Sequence, residues 1–327
     1  MSPWLLDLLV CPACPGDAPL ALSDETRAGG DIASGRLACV GCGGAWPIEG
    51  GIPRFVAEAE DYAGNFGFQW ARWRTVQIDR LNGTTLTEER LLRDSGWARD
   101  WLDGKLILDA GCGAGRFADV MAGLGARVVA ADLSRAVDAC AATCAVHGDA
   151  VACVQASIYA LPLRKGTFDA VHCAGVIQHT PEPAGAMQAL PPFLKPGGRL
   201  AYNFYEAGGS RNWQLAKYAL RRATPAMRPD RLLALCRALV AVFFPLSWAL
   251  SHVRYLRYLN RFLPICATHT RGLTLDRQFT WTLLDTFDWY SPRYEIAQDH
   301  RAVAALLREA GLAEVEAAPG IARARSP

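Results

Sequence analysis

Acidic residues are nearly missing from one long stretch: between positions 211 and 261 the only acid is Asp230, against ten basic side chains. The chain as a whole does not share this bias. The segment's net +9, set against +2 for all 327 residues, leaves −7 elsewhere, so the charge is lopsided. The strongly basic balance of a chain that coats nucleic acid is absent. Also missing is the uninterrupted apolar run of about 20 residues that a membrane-spanning helix needs. The nearest candidate, residues 238–250, contains Pro245. No cationic leader precedes the short apolar start, which itself contains Asp7, so no secretory signal is expected and a cytoplasmic location is. With 51% hydrophobic residues, the chain can bury a large core and has room for one domain plus additions.

Cysteine, by contrast, is plentiful: there are eleven. Without an export signal they read as metal ligands and reduced thiols rather than as disulfides. Four of them form two tight-turn pairs, Cys11-x-x-Cys14 and Cys39-x-x-Cys42. That is zinc spacing, and four thiolates leave no position for a reacting water, so the metal is expected to be structural. Cys112, Cys140, Cys144, Cys153 and Cys173 stand among apolar or helical neighbours and read as packed thiols. The ribbon around the paired cysteines covers residues 1–56. A domain below about 60 residues has little core, so metal binding is expected to supply much of its folding energy.

Residues 109–116, Asp-Ala-Gly-Cys-Gly-Ala-Gly-Arg, follow a buried apolar stretch that reads as a strand. Gly111 and Gly113 allow positive φ and close approach of a ligand, and a helix beginning near Arg116 aims free N–H groups at it. Dinucleotide-binding folds open in the same way, with an acid about 20 positions on for ribose hydroxyls. Asp132, after the run Val128-Val129-Ala130-Ala131, suits that role. Two details differ from the dinucleotide pattern. The spacing is G-x-G-x-G with Arg116 where the third dinucleotide glycine would fall, and the acid Asp109 precedes the turn. Further strand ends follow in order: 151–156 leading to Ser157-Ile158, 168–171 leading to Gly175-Val176-Ile177-Gln178-His179-Thr180, and the turn 194–200 with Pro196-Gly197-Gly198.

In these four motifs the chain resembles class I S-adenosylmethionine (SAM) methyltransferases. The resemblance implies a doubly wound α/β, Rossmann-like sheet of seven strands. It implies cofactor contacts from Asp109, Gly111, Cys112 and Gly113 at the turn, Asp132 and Leu133 at the ribose, Ser157 and Ile158 at the adenine, and Ala174 and Gly175 beneath the sulfonium. Position 157 departs from the family pattern, which usually has Asp there; serine offers only a neutral acceptor. The ribbon, with its Leu5-Leu6-Asp7-Leu8-Leu9-Val10-Cys11-Pro12 and Trp46-Pro47-Ile48-Glu49 stretches, resembles the small zinc-ribbon proteins that activate methyltransferases. Here it is fused to the catalytic domain and reads as scaffold, lid or substrate-recruiting arm.

The expected organisation is therefore a ribbon at 1–56, a linker and cofactor-covering helices at 57–104, a SAM-binding core at 105–206, a helical, aromatic insertion after the fifth strand at 207–298, and a last helix with closing hairpin at 299–327. The aromatic run 65–73 reads either as a cover for the cofactor, since rings attract a sulfonium, or as packing. The apolar and basic residues 238–261 read as a buried cap helix pair, as a segment dipping into anionic lipid, or as a protein-docking surface. The segment 285–294 reads as acceptor-pocket wall.

For a general base the first candidate is His179, where an acceptor would approach, with Tyr205 and Tyr290 as further catalytic candidates and Tyr202, Glu206 and Asp288 beside them. The leading functional reading is methyl transfer to a small-molecule, lipid-linked or sugar-containing biosynthetic acceptor, with anionic character allowed by the arginines. RNA methylation, with the ribbon as RNA-binding arm, is the alternative; its weakness is that the arginines interleave with apolar residues and do not form a polar stripe. A non-catalytic adaptor of a partner methyltransferase is the third reading, and nearly intact cofactor motifs count against it.

Overall fold

The computed structural model describes residues 1–56, 63–208, 214–270 and 272–327. The first linker residues, 57–62, the stretch 209–213 with Arg211, and Arg271 lie outside the described residues.

The chain begins with a short helix, α1 (Pro3–Leu6), and four antiparallel strands in sequential order: β1 (Leu20–Ala28), β2 (Asp31–Cys39), β3 (Ala45–Glu49) and β4 (Ile52–Pro53). Inward residues of this ribbon, Leu5, Leu9, Ile32, Leu37 and Ile48, do not form a core of their own. They belong to one contiguous cluster with Leu108, Val129, Val154 and Leu163 of the main domain. A unit too small to bury its apolar face alone has solved the problem by sharing a core.

Three helices follow: α2 (Gly64–Trp73), α3 (Asp79–Asn82) and α4 (Leu86–Ser95). The main domain then alternates strand and helix as β5 (Leu106–Ala110), α5 (Arg116–Gly123), β6 (Arg127–Asp132), α6 (Ala136–Cys144), β7 (Val151–Gln155), β8 (Phe168–Ala174), α7 (Pro183–Ala189) and β9 (Leu194–Asn203). An insertion carries α8 (Leu215–Leu220), α9 (Pro229–Ser251) and α10 (Leu275–Tyr290). The chain closes with α11 (His300–Glu309), β10 (Ala313–Ala318) and β11 (Ile321–Arg325). Asp299 caps α11 by accepting from the amides of Arg301 and Ala302.

The seven-stranded sheet has the order β10-β11-β9-β8-β5-β6-β7. Strands β5 to β9 pair in parallel, while β11 runs antiparallel to both β9 and β10. The central parallel strands are nearly continuous apolar runs because helices cover both faces. Strand β5 pairs with β6 on one side and β8 on the other, so the connections leave it in opposite directions. A crevice opens at the carboxyl ends of β5 and β8 for that reason.

At the far edge, β7 would expose a row of unpaired backbone groups. The ribbon engages the end of this edge and the chain beyond it: Phe55 donates its amide to the Gln155 carbonyl at 2.8 Å, and Val10 donates to Pro162, past the strand, at 2.9 Å. Arg54, buried, adds an ion pair to Asp138 and a 3.1 Å hydrogen bond to Gln155. The ribbon, a separate sheet, thus closes over the carboxyl end of this edge.

One expectation fails in the insertion. Pro245 does not interrupt the apolar stretch, and α9 runs unbroken for 23 residues. Proline removes the hydrogen bond to the carbonyl four residues earlier. Here both Pro245 and Ala241 are exposed, so the freed carbonyl lies on the solvent side. The inner face of α9, with Leu233, Cys236, Val240 and Phe244, packs on Leu283, Leu284 and Phe287 of α10.

Candidate functional site

A cavity of about 330 Å³ occupies the crevice at the ends of β5 and β8. Its floor is the turn after β5. Gly111 and Gly113 have φ of 83° and 54°, where side chains are strained. A Cβ on Gly111 would lie 2.1 Å from a methyl of Val176, and one on Gly113 would lie 3.0 Å from Nε1 of Trp70. Gly115 serves packing, since a Cβ there would meet the thiols of Cys140 and Cys144 at 2.8 and 3.1 Å.

Asp132, at the end of β6, lines the cavity. Its Oδ2 accepts the Gly113 amide at 2.9 Å, and its Oδ1 accepts the amide and hydroxyl of Ser134 at 2.9 and 2.8 Å. The carboxylate is thus clamped between the glycine turn and the start of α6. Leu133, Ile158 and Leu161 make an apolar slot beside it, and Cys112, Ala174 and Gly175 complete this part of the wall.

Two of the sequence-derived cofactor residues lie elsewhere. Asp109 is buried beneath the turn, its Oδ1 accepting from Nδ1 of His172 at 2.8 Å; it does not line the cavity. Ser157 also stays out of the lining, and its hydroxyl accepts the amide of Tyr159. The wall at the adenine position is therefore apolar, from Ala156, Ile158 and Leu161.

The opposite wall comes from α2 and the insertion. Phe66, Gln69 and Trp70 stand at i, i+3 and i+4 on α2, and Leu284, Asp285, Asp288 and Trp289 at helical spacing on α10. The aromatic run 65–73 therefore both lines the cavity and packs, with Phe68 and Trp73 against Phe287.

His179 is the one base candidate with a defined tautomer. Its Nδ1 lies 3.0 Å from the Tyr294 carbonyl, which can only accept, so Nδ1 carries the proton and Nε2 has a free lone pair. Burial holds its pKa below the ordinary histidine value, so the ring is neutral near pH 7. Phe66 and Tyr205 pack on the ring at 5.3 and 5.4 Å, and both line the cavity. Tyr290 is placed differently: it is fully buried, donates its hydroxyl to the Pro264 carbonyl at 2.9 Å and does not reach the cavity. As the last residue of α10 it points into the packed side of the helix, which spacing from Asp288 could not reveal. Tyr202 is likewise buried, donating to Met187, and Glu206 binds His300 outside the cavity.

The segment 285–294, expected as pocket wall, brings Asp285, Asp288 and Trp289 to the cavity, and a hydrogen-bonded chain through Gln77, which no sequence pattern singled out, ties it to the glycine turn. Arg116 donates from Nη1 to Gln77 at 2.8 Å, and Gln77 donates from Nε2 to Asp285 at 3.2 Å. Asp285 also accepts from Thr268 at 2.8 Å. Burial, ahead of the charge of Asp288, pushes the Asp285 carboxyl up to about 7, and burial lowers the Arg116 guanidinium to about 10. Gln69 donates to Asp288 at 3.2 Å. Oε1 of Gln69 and Oε1 of Gln178 are buried without a hydrogen-bond partner, and both residues line the cavity. Both acceptors are available to a donor from a bound molecule or a water.

The metal centre meets the same kind of test. A tetrahedron with zinc–sulfur bonds of about 2.3 Å has edges of about 3.8 Å. The Sγ atoms of Cys11 and Cys42, and of Cys14 and Cys39, are 3.7 Å apart, and all four lie within 4.8 Å of one another. None is in a disulfide, and the Gly41 amide donates to Cys39 at 3.3 Å. The four thiols fit structural zinc.

The sheet order, the cavity at its switch point and the four-cysteine ribbon together define a class I SAM-dependent methyltransferase fold preceded by a zinc ribbon. Residues 108–202 match the family model described as "Methyltransferase domain", and residues 2–51 match that of "Trm112p-like protein". Among curated proteins, the chain is 39% identical over 107 residues to a ubiquinone biosynthesis O-methyltransferase of Burkholderia ambifaria, covering 32% of this chain and 46% of that one. It is 33% identical over 149 residues to the enzyme of that name from Azotobacter vinelandii, covering 42% and 64%. The chain thus spans less than two-thirds of either relative. A solved magnesium protoporphyrin IX methyltransferase from Synechocystis PCC 6803, with SAH bound, overlaps 82% of this chain and 98% of its own at 17% identity and TM-score 0.44.

Proposed function

We propose that this protein transfers a methyl group from SAM to a small-molecule biosynthetic acceptor of quinone-like, sugar-containing or lipid-linked type. The observation that carries the reading is a single cavity running from the glycine turn and Asp132 to His179, Tyr205 and Asp288. A donor and an acceptor could meet there out of water.

When bound, SAM supplies an electrophilic methyl on a cationic sulfur. The chain's residues then have distinct tasks. Asp132 would accept from ribose hydroxyls, and the glycine turn would allow backbone approach to the amino-acid part; Arg116 lines the same cavity. Ile158 and Leu161 enclose the adenine by apolar contact. Trp70 and Phe66, both lining the cavity, would exclude water and offer aromatic surface to a positive sulfur. His179, neutral and with Nε2 free, takes a proton from the acceptor's hydroxyl or amine. Tyr205 holds the imidazole in place by edge-on packing.

The RNA reading finds less support. Lys217 and Arg221 are engaged with Glu295 at 2.8 and 3.4 Å, Arg221 also donates to the carbonyls of Trp289 and Pro292, and Arg228 pairs with Asp230. Lys217 and Arg221 therefore serve the cap's own structure rather than an open basic stripe.

The test is incubation with radiolabelled SAM and fractions of small molecules, lipids and RNA, alongside calorimetry. Label is expected in a small-molecule or lipid fraction, with His179→Gln retaining SAM binding and losing turnover. Label confined to RNA would overturn the acceptor class, and a wild-type protein that binds no SAM would overturn the activity.

A further inference from the structure

Nine of the seventeen large apolar side chains exposed among the described residues lie between positions 242 and 262. They follow one another along α9 and the turns that pack against its end. Val242, Leu246 and Trp248 stand on the outer face of α9, and Tyr255, Leu256 and Leu259 on the turns after it; Val242 is 68% and Tyr255 75% exposed. The same stretch contains Arg254, Arg257 and Arg261 and no acid. Each guanidinium sits over a tyrosine ring, Arg254 on Tyr255 at 5.6 Å and Arg257 and Arg261 on Tyr258 at 5.1 and 5.5 Å.

We infer that this surface docks the protein onto an anionic lipid membrane. Exposed apolar side chains of this density require a cover. Cations stacked on tyrosines, beside tryptophan and leucine, suit a boundary that is apolar on one side and negatively charged on the other. The missing acids exclude repulsion from headgroups. The helix α9 is long and apolar enough to cross a bilayer, with 23 residues and a mean hydropathy of 1.9 over its most apolar 18-residue window. Its inner face rules out a crossing in this fold: Val240 and Phe244 are buried against α10, and Ser247 is hydrogen-bonded to His269 at 2.8 Å. It lies on the membrane with its outer face only. Because the inner face of α9 packs on α10, whose Asp285 and Asp288 line the cavity, the docked surface backs the cavity wall.

The experiment is co-sedimentation of the full chain with vesicles of phosphatidylcholine, alone or mixed equally with phosphatidylglycerol. Binding is expected to the mixed vesicles at low salt and to fall steeply at high salt. Replacing Arg254, Arg257 and Arg261 together by Gln should lower partitioning roughly a hundredfold, since each arginine near an anionic surface contributes about fivefold. Leu246→Glu should abolish binding while SAM binding in solution, measured by calorimetry, stays unchanged. Equal binding to pure phosphatidylcholine would overturn the anionic assignment. No vesicle binding by the wild type would overturn the docking, as would a dimer in sedimentation velocity that Leu246→Glu dissociates and that does not bind vesicles.

Discussion

Replacing Gly111 by Ala isolates two physical effects at one position. The residue has φ +83°, and a methyl there would overlap the Val176 side chain at 2.1 Å from one carbon and 2.9 Å from another. Forcing an L-residue into the left-handed region costs about 1–2 kcal/mol, and overpacking a filled site costs about 1–3 kcal/mol. Gly111→Ala should therefore destabilise by roughly 2–5 kcal/mol. Gly175 provides the control: its φ is +75° but no atom lies within 4 Å of a Cβ, so Gly175→Ala should show the conformational cost alone, about 1–2 kcal/mol. Val176→Ala removes the methyls that collide, so the double variant Gly111→Ala/Val176→Ala should recover the steric part, a coupling of about 1–3 kcal/mol. The assay is denaturant unfolding of the four proteins in a double-mutant cycle with Gly175→Ala alongside, and calorimetry with SAM. A strictly additive cycle, or a Gly111→Ala variant within about 0.5 kcal/mol of wild type, would refute the reasoning.

Asp132→Ala removes the clamp on the Gly113 and Ser134 amides together with the ribose acceptor, so SAM affinity should fall by about tenfold or more and the melting temperature should also drop; unchanged affinity in calorimetry would mean the ribose is held elsewhere. Asp285 keeps its proton up to about pH 7 in the folded protein but only to 3.8, the ordinary carboxyl value, once unfolding exposes it. The stability it contributes is complete below the unfolded value and is lost as pH rises through the folded one. Wild type should accordingly lose stability relative to Asp285→Asn between about pH 4 and about pH 7, as read by denaturant midpoints, and a pH-independent difference would contradict the burial. Chelation should release one zinc per chain, and because Phe55 is hydrogen-bonded to Gln155, hydrogen exchange along β7 should accelerate as the ribbon loosens; protection of β7 that survives metal removal would count against the edge-cover role.

The order of the core strands was legible because each parallel strand is a short apolar run ending in a glycine, an acid or a polar turn, and those punctuation marks recur at the ends facing the crevice. The zinc site was legible for a similar reason, since two ligands of each pair are three residues apart and need only a tight turn to converge. Asp109, Ser157 and Tyr290 were assigned by motif position or neighbourhood, and their side chains turned out to serve His172, the Tyr159 amide and the Pro264 carbonyl. Position along a strand end fixes a backbone site but not the rotamer, which is chosen by whichever partner is buried beside it.

By itself, then, the amino-acid sequence determined what is local: four thiols at knuckle spacing, glycines where φ is positive, and an acid at the end of β6. Tertiary structure decided what arises from distant segments meeting. Leu5, Ile32 and Ile48 share a core with β5 and β6, which joins the ribbon's own sheet to the main domain by packing. Gln77 bonds both Arg116 and, 208 positions away, Asp285, and Tyr294 fixes the proton on His179. Such pairings depend on how an insertion folds back over the crevice, and no period or spacing along the chain records that distance.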